Sequence, residues 1–144
     1  MKELITLLCL FLYLLISNKS LSQSKINFLN YEPDSIAYQA QKQGKSIFLY
    51  ATLKGCMPCK VLEYQVFSDT TLANFVNQNM IAAKLNITDK FGKEEYLKCL
   101  DIAKSHHIRV YPTIVILDKN GKEVQRAFGI VTAQGIIKLL QETF

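Results

Sequence analysis

Ile47-Phe48-Leu49-Tyr50-Ala51, followed at once by Thr52-Leu53-Lys54-Gly55 and then Cys56-Met57-Pro58-Cys59-Lys60, is the stretch that decides the fold. The apolar run shows no alternation, which is what a strand covered on both faces requires. Beyond it two cysteines, with two residues between them, stand at the start of a helix-like segment from Lys60 to Phe67. A strand holds such a loop rigid, and the free N–H groups at a helix start favour a thiolate. Lys54 and Lys60 add positive charge nearby. Three residues of separation let two sulfurs reach bonding distance without moving the backbone. Pro58 is tolerated because a first-turn helical residue needs no N–H, and it stiffens the turn.

A second signal lies downstream. Val110-Tyr111-Pro112-Thr113 precedes the apolar run Ile114 to Leu117, and a proline just ahead of a buried strand marks a fixed, sometimes cis, turn. The rest of the chain fits around these two. Ile26 to Leu29 reads as a short strand. After Pro33, Asp34 or Ser35 caps a helix ending before Gly44. Ser68-Asp69 restarts a helix carrying Leu72, Phe75 and Val76, and Met80 to Ile87 is the next strand. Thr88 to Gly92 is a loop. Lys93 to Ser105 is a helix with Tyr96, Cys99, Leu100 and Ala103 on one face. Asn120-Gly121 turns a hairpin into Lys122 to Phe128, and Thr132 caps a last helix with Ala133, Ile136, Ile137 and Leu140 inward. The order predicts a single α/β domain with a central mixed β-sheet flanked by helices.

The 144 residues, 49% of them hydrophobic, suit one domain with a proper core. Some of that apolar content belongs to the beginning of the chain. Met1-Lys2-Glu3, the 13-residue apolar stretch Leu4 to Ile16 and the small residues Ser20-Leu21-Ser22 read as a secretory signal peptide over residues 1–22. An uncleaved anchor is the alternative, but the stretch is shorter than the ~20 residues a bilayer needs. Removing Lys2, Lys19 and Glu3 from the 17 basic and 12 acidic residues leaves 15 and 11, a net charge of +4. Those positives are scattered, so no nucleic-acid footprint is indicated. Residues 23–144 hold Cys56, Cys59 and Cys99, an odd count that in an exported protein means one pair and one leftover thiol.

On these residues the chain resembles the thioredoxin superfamily over essentially residues 23–144. The matching elements are the strand into Cys56-x-Pro58-Cys59-Lys60, the segment Ile108 to Thr113, the Asn120-Gly121 hairpin and Gly129 before the final helix. Within the superfamily it is most similar to the thioredoxin-like C-terminal domain of the periplasmic reductase DsbD and to small exported thioredoxin-like proteins. Cys59-Lys60, Glu63, Val66-Phe67-Ser68-Asp69 and Leu85-Asn86-Ile87-Thr88 carry that similarity. The resemblance implies thiol–disulfide exchange with protein substrates and no bound cofactor. It implies Cys56 as the attacking residue, Cys59 as the resolving one, and Pro112 in cis beside them. The family usually places Trp before the first cysteine and a buried acid six residues before it. Here those positions are Gly55 and Tyr50. Glu63, one helical turn past Cys59, matches an acid of the DsbD-type domains and stands in for the missing one.

The expected function is therefore an exported, periplasmic or secreted, thiol–disulfide oxidoreductase acting as a protein-disulfide reductase, with catalytic Cys56, Cys59 and Glu63. Met57, Tyr111 and Pro112 are the substrate-binding candidates. Met57 offers an adaptable apolar contact, and the backbone beside Pro112 can pair with an extended substrate. A separate thiol electron donor, soluble or membrane-bound, has to recharge the pair, and the protein is expected to be a monomer. Two alternatives share the sequence: an oxidase or isomerase using the same pair, and a redox-inert binding or chaperone module with a static bridge. Half a zinc site is a third reading of the cysteines, with Cys99, His106 and His107 as the further ligands, but their spacing is not that of a zinc ribbon. Cys99, on an apolar helix face, is expected to be a buried thiol. His106 and His107 are expected to cap the end of a helix, or else to tune the active turn.

Overall fold

The computed structural model describes residues 25–143, and the signal-peptide reading of residues 1–22 lies outside them. Its axis is β2 (Ser46–Leu53), preceded by β1 (Leu29–Asn30) and α1 (Pro33–Gln43). Then come α2 (Met57–Val61), which runs into a π-helical turn (Leu62–Val66), α3 (Thr70–Asn79) and β3 (Met80–Ile87). A short 3-10 turn at Asp89–Phe91 leads to α4 (Lys93–Ser105), β4 (Thr113–Leu117), β5 (Glu123–Phe128) and α5 (Ala133–Gln141). The five strands lie in the order β1-β3-β2-β4-β5. β1 and β2 run parallel to β3, whereas β4 runs antiparallel to β2 and β5. The sheet is mixed, as the sequence predicts.

β2 lacks alternation because each of its faces has its own core. Phe48 and Tyr50 face one side with Leu62, Phe67, α3 and α5. Ile47, Leu49 and Ala51 face the other with α1 and α4. At ~25 cal/mol per Å² of apolar surface, such two-sided burial is the main source of stability in a chain of this size.

Three local features differ from the sequence expectation. Residues 25–28 are not a strand. Ile26 and Phe28 turn inward among the rings of the first core, and β1 pairs with β3 only at Leu29↔Ala83 and Asn30↔Lys84. The first helix is entered through Glu32 with Pro33 in its first turn, and Asp34 lies inside that turn rather than capping it. The active-segment helix starts at Met57, not Lys60, because Cys56 itself is the capping residue. Elsewhere side-chain caps stand where the sequence places them. Asp69 Oδ1 accepts from Leu72 N–H at 2.9 Å and Thr132 Oγ1 from Gly135 N–H at 3.0 Å. The hairpin closes through Gly121 N–H on the Asp118 carbonyl, with Gly121 at φ +82°, a conformation that favours glycine.

Candidate active site

Every strand-end that matters meets at the C-terminal end of β2. Leu53 finishes the strand, and the Lys54-Gly55 loop carries the chain into Cys56. Gly55 makes the reversal at φ +79°. Cys56 takes an extended conformation, φ −70° and ψ 105°, and its Sγ accepts the Cys59 N–H at 3.2 Å. A helix-start N–H thus points at the Cys56 sulfur, an arrangement that favours a thiolate over a thiol. Cys56 and Cys59 are joined by a disulfide, with their Cα atoms 5.3 Å apart. The two sulfurs live in different surroundings. Cys56 is half-buried, whereas Cys59 is 2% exposed and belongs to the first core. Met57 between them is 64% exposed.

Pro112 arrives from the neighbouring strand. Thr113 pairs with Ala51, so the N-terminal end of β4 lies beside the end of β2 from which the cysteine loop departs. The Tyr111–Pro112 peptide is cis. The Pro112 carbonyl accepts from Gly129 N–H at 2.9 Å, and Thr113 Oγ1 donates to the Val110 carbonyl at 2.7 Å. Pro112 is buried, Tyr111 half-buried and Val110 exposed.

Glu63 is the second residue of the π-turn and lines one cleft with the two cysteines. Its Oε1 accepts from Lys84 Nζ at 2.7 Å and from the Tyr50 hydroxyl at 3.1 Å. The Tyr50 hydroxyl also lies 3.4 Å from the Cys59 carbonyl. Tyr50 and Lys84 are register partners on adjacent strands, which places both on the sheet face under Cys59. A cleft of about 190 Å³ reaches this group from solvent, lined among others by Cys56, Cys59, Glu63, Lys84 and Asn86. Burial pushes the Tyr50 phenol above its ordinary value, opposed by a hydrogen bond with the Thr52 side chain and reinforced by the Glu63 charge, so the hydroxyl remains a donor.

Cys56, Cys59 and Glu63, expected from the sequence, come together around one cleft. Lys84 joins them unexpectedly, although a lysine inside the apolar strand Ile81-Ala82-Ala83-Lys84-Leu85 was an available signal. The partners of Tyr50 were likewise not expected from the sequence. Lys54 does not serve as a charge beside Cys56 alone, because its ammonium pairs with Asp89 at 2.6 Å. The histidines lie at the far end of α4: His106 is the capping residue, its Nε2 is 2.8 Å from the Tyr31 hydroxyl, and its carbonyl accepts from Arg126 Nη2 at 2.6 Å. Cys99 is buried in the second core, 3.9 Å from Glu95 Oε1. Among the described residues no three His, Cys, Asp or Glu side chains converge as a metal site.

Residues 34–144 match the family described as a thioredoxin-like domain. No curated protein sequence matches the chain significantly. Solved structures share its fold. The DsbH oxidoreductase superposes with a TM-score of 0.69 at 17% identity, covering 87% of this chain and 90% of that one. A thioredoxin from Thermus thermophilus gives 0.65 at 21% identity, with 81% and 87% covered. A candidate disulphide-isomerase from Bacteroides thetaiotaomicron gives 0.64 at 24% identity, with 83% and 90% covered. With the fold, the disulfide across a helix start and the family match in hand, the chain belongs to the thioredoxin-like domain family.

Proposed function

We propose that this protein is an exported oxidoreductase that reduces disulfides in other proteins. The observation that carries the proposal is the asymmetry of the pair: a half-buried Cys56 at a helix start, disulfide-bonded to a buried Cys59 whose carbonyl shares the Tyr50 hydroxyl with the Glu63 carboxylate. In the reduced protein the Cys56 thiolate attacks one sulfur of a substrate disulfide. A Cys56–substrate disulfide forms and the other substrate sulfur leaves as a thiolate. Cys59 gives its proton to Glu63 and attacks Cys56 Sγ. The mixed disulfide breaks, the second substrate thiolate leaves, and the Cys56–Cys59 disulfide remains. The substrate has gained two electrons, and a separate thiol donor resupplies them to this protein.

Substrate contacts fall to exposed apolar groups around the pair. Met57 stands exposed between the two cysteines, and the Tyr111 backbone next to Pro112 offers hydrogen bonds to an extended chain. Export rests on the apolar, small-residue pattern of residues 1–22. The reductive direction rests on the sequence resemblance stated above and on Pro58 next to Cys59.

The deciding experiment is a redox titration of the purified protein against glutathione and dithiothreitol, following the Cys56 and Cys59 thiols. A reversible two-electron couple below about −220 mV supports a reductant, whereas one near about −120 mV marks an oxidant. A pair that never titrates overturns exchange and leaves a binding module. Changing Cys59 to Ala adds an independent check: an exchange enzyme accumulates mixed disulfides with its clients, and a binding module does not.

A further inference from the structure

Tyr50 occupies the strand position from which this chain has lost an acid, and its surroundings give it a different task. Its ring is fixed on two sides, 4.9 Å from Phe67 in an edge-to-face contact and 5.7 Å from Phe28. It is fully buried, so the direction of its hydroxyl is set by the core rather than by solvent. That hydroxyl meets Glu63 Oε1 and the Cys59 carbonyl together. Lys84 grips the same Oε1, and its ammonium lies 5.6 Å above the Tyr50 ring. Both donors land on one carboxylate oxygen, which leaves Oε2 to exchange a proton. We propose that Tyr50 is a positioning residue that holds Glu63 against the Cys59 end of the pair, so that Glu63 takes the Cys59 proton during resolution of the mixed disulfide.

The inference rests on the exchange reaction proposed above and assigns Tyr50 to one step of it. The Tyr50 proton stays on its oxygen throughout. The proton that moves passes from Cys59 Sγ to Glu63, and the S–S bond that forms is Cys59–Cys56 as the Cys56–substrate bond breaks. Tyr50 therefore affects resolution and not the first attack, which belongs to Cys56. A well-placed general base contributes about 10²–10⁴-fold to such a step, and a bond to a charged group is worth roughly tenfold or more.

The test uses the full reduced chain and an aryl disulfide that releases one coloured thiolate on attack and a second on resolution. In Tyr50→Phe the first phase keeps its rate and the second slows about tenfold. In the double variant Tyr50→Phe with Glu63→Gln, the second phase is no slower than in Glu63→Gln alone. The pH profile of resolution in Tyr50→Phe converges on that of Glu63→Gln, which a merely structural role would not produce. Lys84→Gln, which removes the other bond on Oε1, gives the same loss confined to the second phase. An unchanged second phase, equal slowing of both phases, or additive losses in the double variant would overturn the assignment. A wild-type protein that releases no thiolate at all overturns the exchange reaction itself, and the role of Tyr50 with it.

Discussion

Glu63 and Lys84 face each other across the seam between the π-turn and β3, with 2.7 Å between Glu63 Oε1 and Lys84 Nζ. Neither side chain is fully buried, at 34% and 29% exposed, so water screens the pair. Exposed pairs contribute about 0–1 kcal/mol and buried ones more. Lys84→Gln should therefore cost the oxidised protein about 1 kcal/mol in urea unfolding. A loss above about 3 kcal/mol would show that the ammonium supports the core, not only the carboxylate.

Gly55 controls the loop that presents Cys56. No atom lies within 4 Å of the place where a Cβ would go, yet φ is +79°. Gly55→Ala should thus destabilise by about 1 kcal/mol through backbone strain alone, with no steric term. Equilibrium unfolding of the oxidised variant measures it. A neutral result would mean that the loop relaxes to negative φ, and the attack rate of Cys56 would then report the displacement. At this φ a bulky residue would be strained wherever its side chain points.

Acid should weaken the fold through His106. Burial, aided by Arg126 and His107 and opposed by Glu123, holds its imidazole below the ordinary 6.5. The unfolded chain therefore binds this proton first as pH falls. The stabilisation is complete above about pH 6.5 and declines as pH drops toward the lower folded value. Urea midpoints measured from pH 7.5 to 5 should fall over that window, and His106→Gln should flatten the fall. An equal slope in the variant would assign the acid sensitivity to other groups.

Cys99 should be slow to react in the native protein. Burial, with Glu95 next in importance, raises its thiol above the ordinary value, so little thiolate is present at neutral pH. After reduction, iodoacetamide followed by peptide mass analysis should label Cys56 well before Cys99. Rapid native labelling of Cys99 would point to local opening of α4 against the sheet.

Where pattern alone fixes an element, sequence and structure agree closely. Met80–Ile87 and Lys93–Ser105 begin and end where an apolar run and an amphipathic face begin and end. Elements that depend on distant partners agree less well. Ile26 and Phe28 are apolar enough for a strand, but the backbone around them bonds to the Asn77 side chain instead, which accepts from Asn27 N–H at 2.9 Å and donates to the Lys25 carbonyl at 2.8 Å. The disulfide pair was legible from spacing, and Glu63 from the resemblance to the DsbD-type domains. The hydrogen bond from Tyr50 to Glu63 was not, since it joins residues on a strand and a helix that only the folded sheet brings together. Lys84 was written in the sequence as a charge inside a buried strand, the kind of local conflict that marks a site.

The widened turn at Leu62–Val66 also changes how this chain lines up with others. Phe67 N–H reaches back to the Leu62 carbonyl at 3.0 Å, closing a loop one residue longer than an α-helical one. To a sequence alignment that extra residue is a one-position insertion. Positions as far as Leu62 keep their α-helical count from Cys59, whereas from Phe67 onward every position arrives one place late. A homologue without the wide turn would carry the counterpart of Phe67, the ring that pins Tyr50, one place earlier. Aligned without a gap there, the two chains would match Phe67 to the wrong residue while Cys56 and Cys59 still lined up.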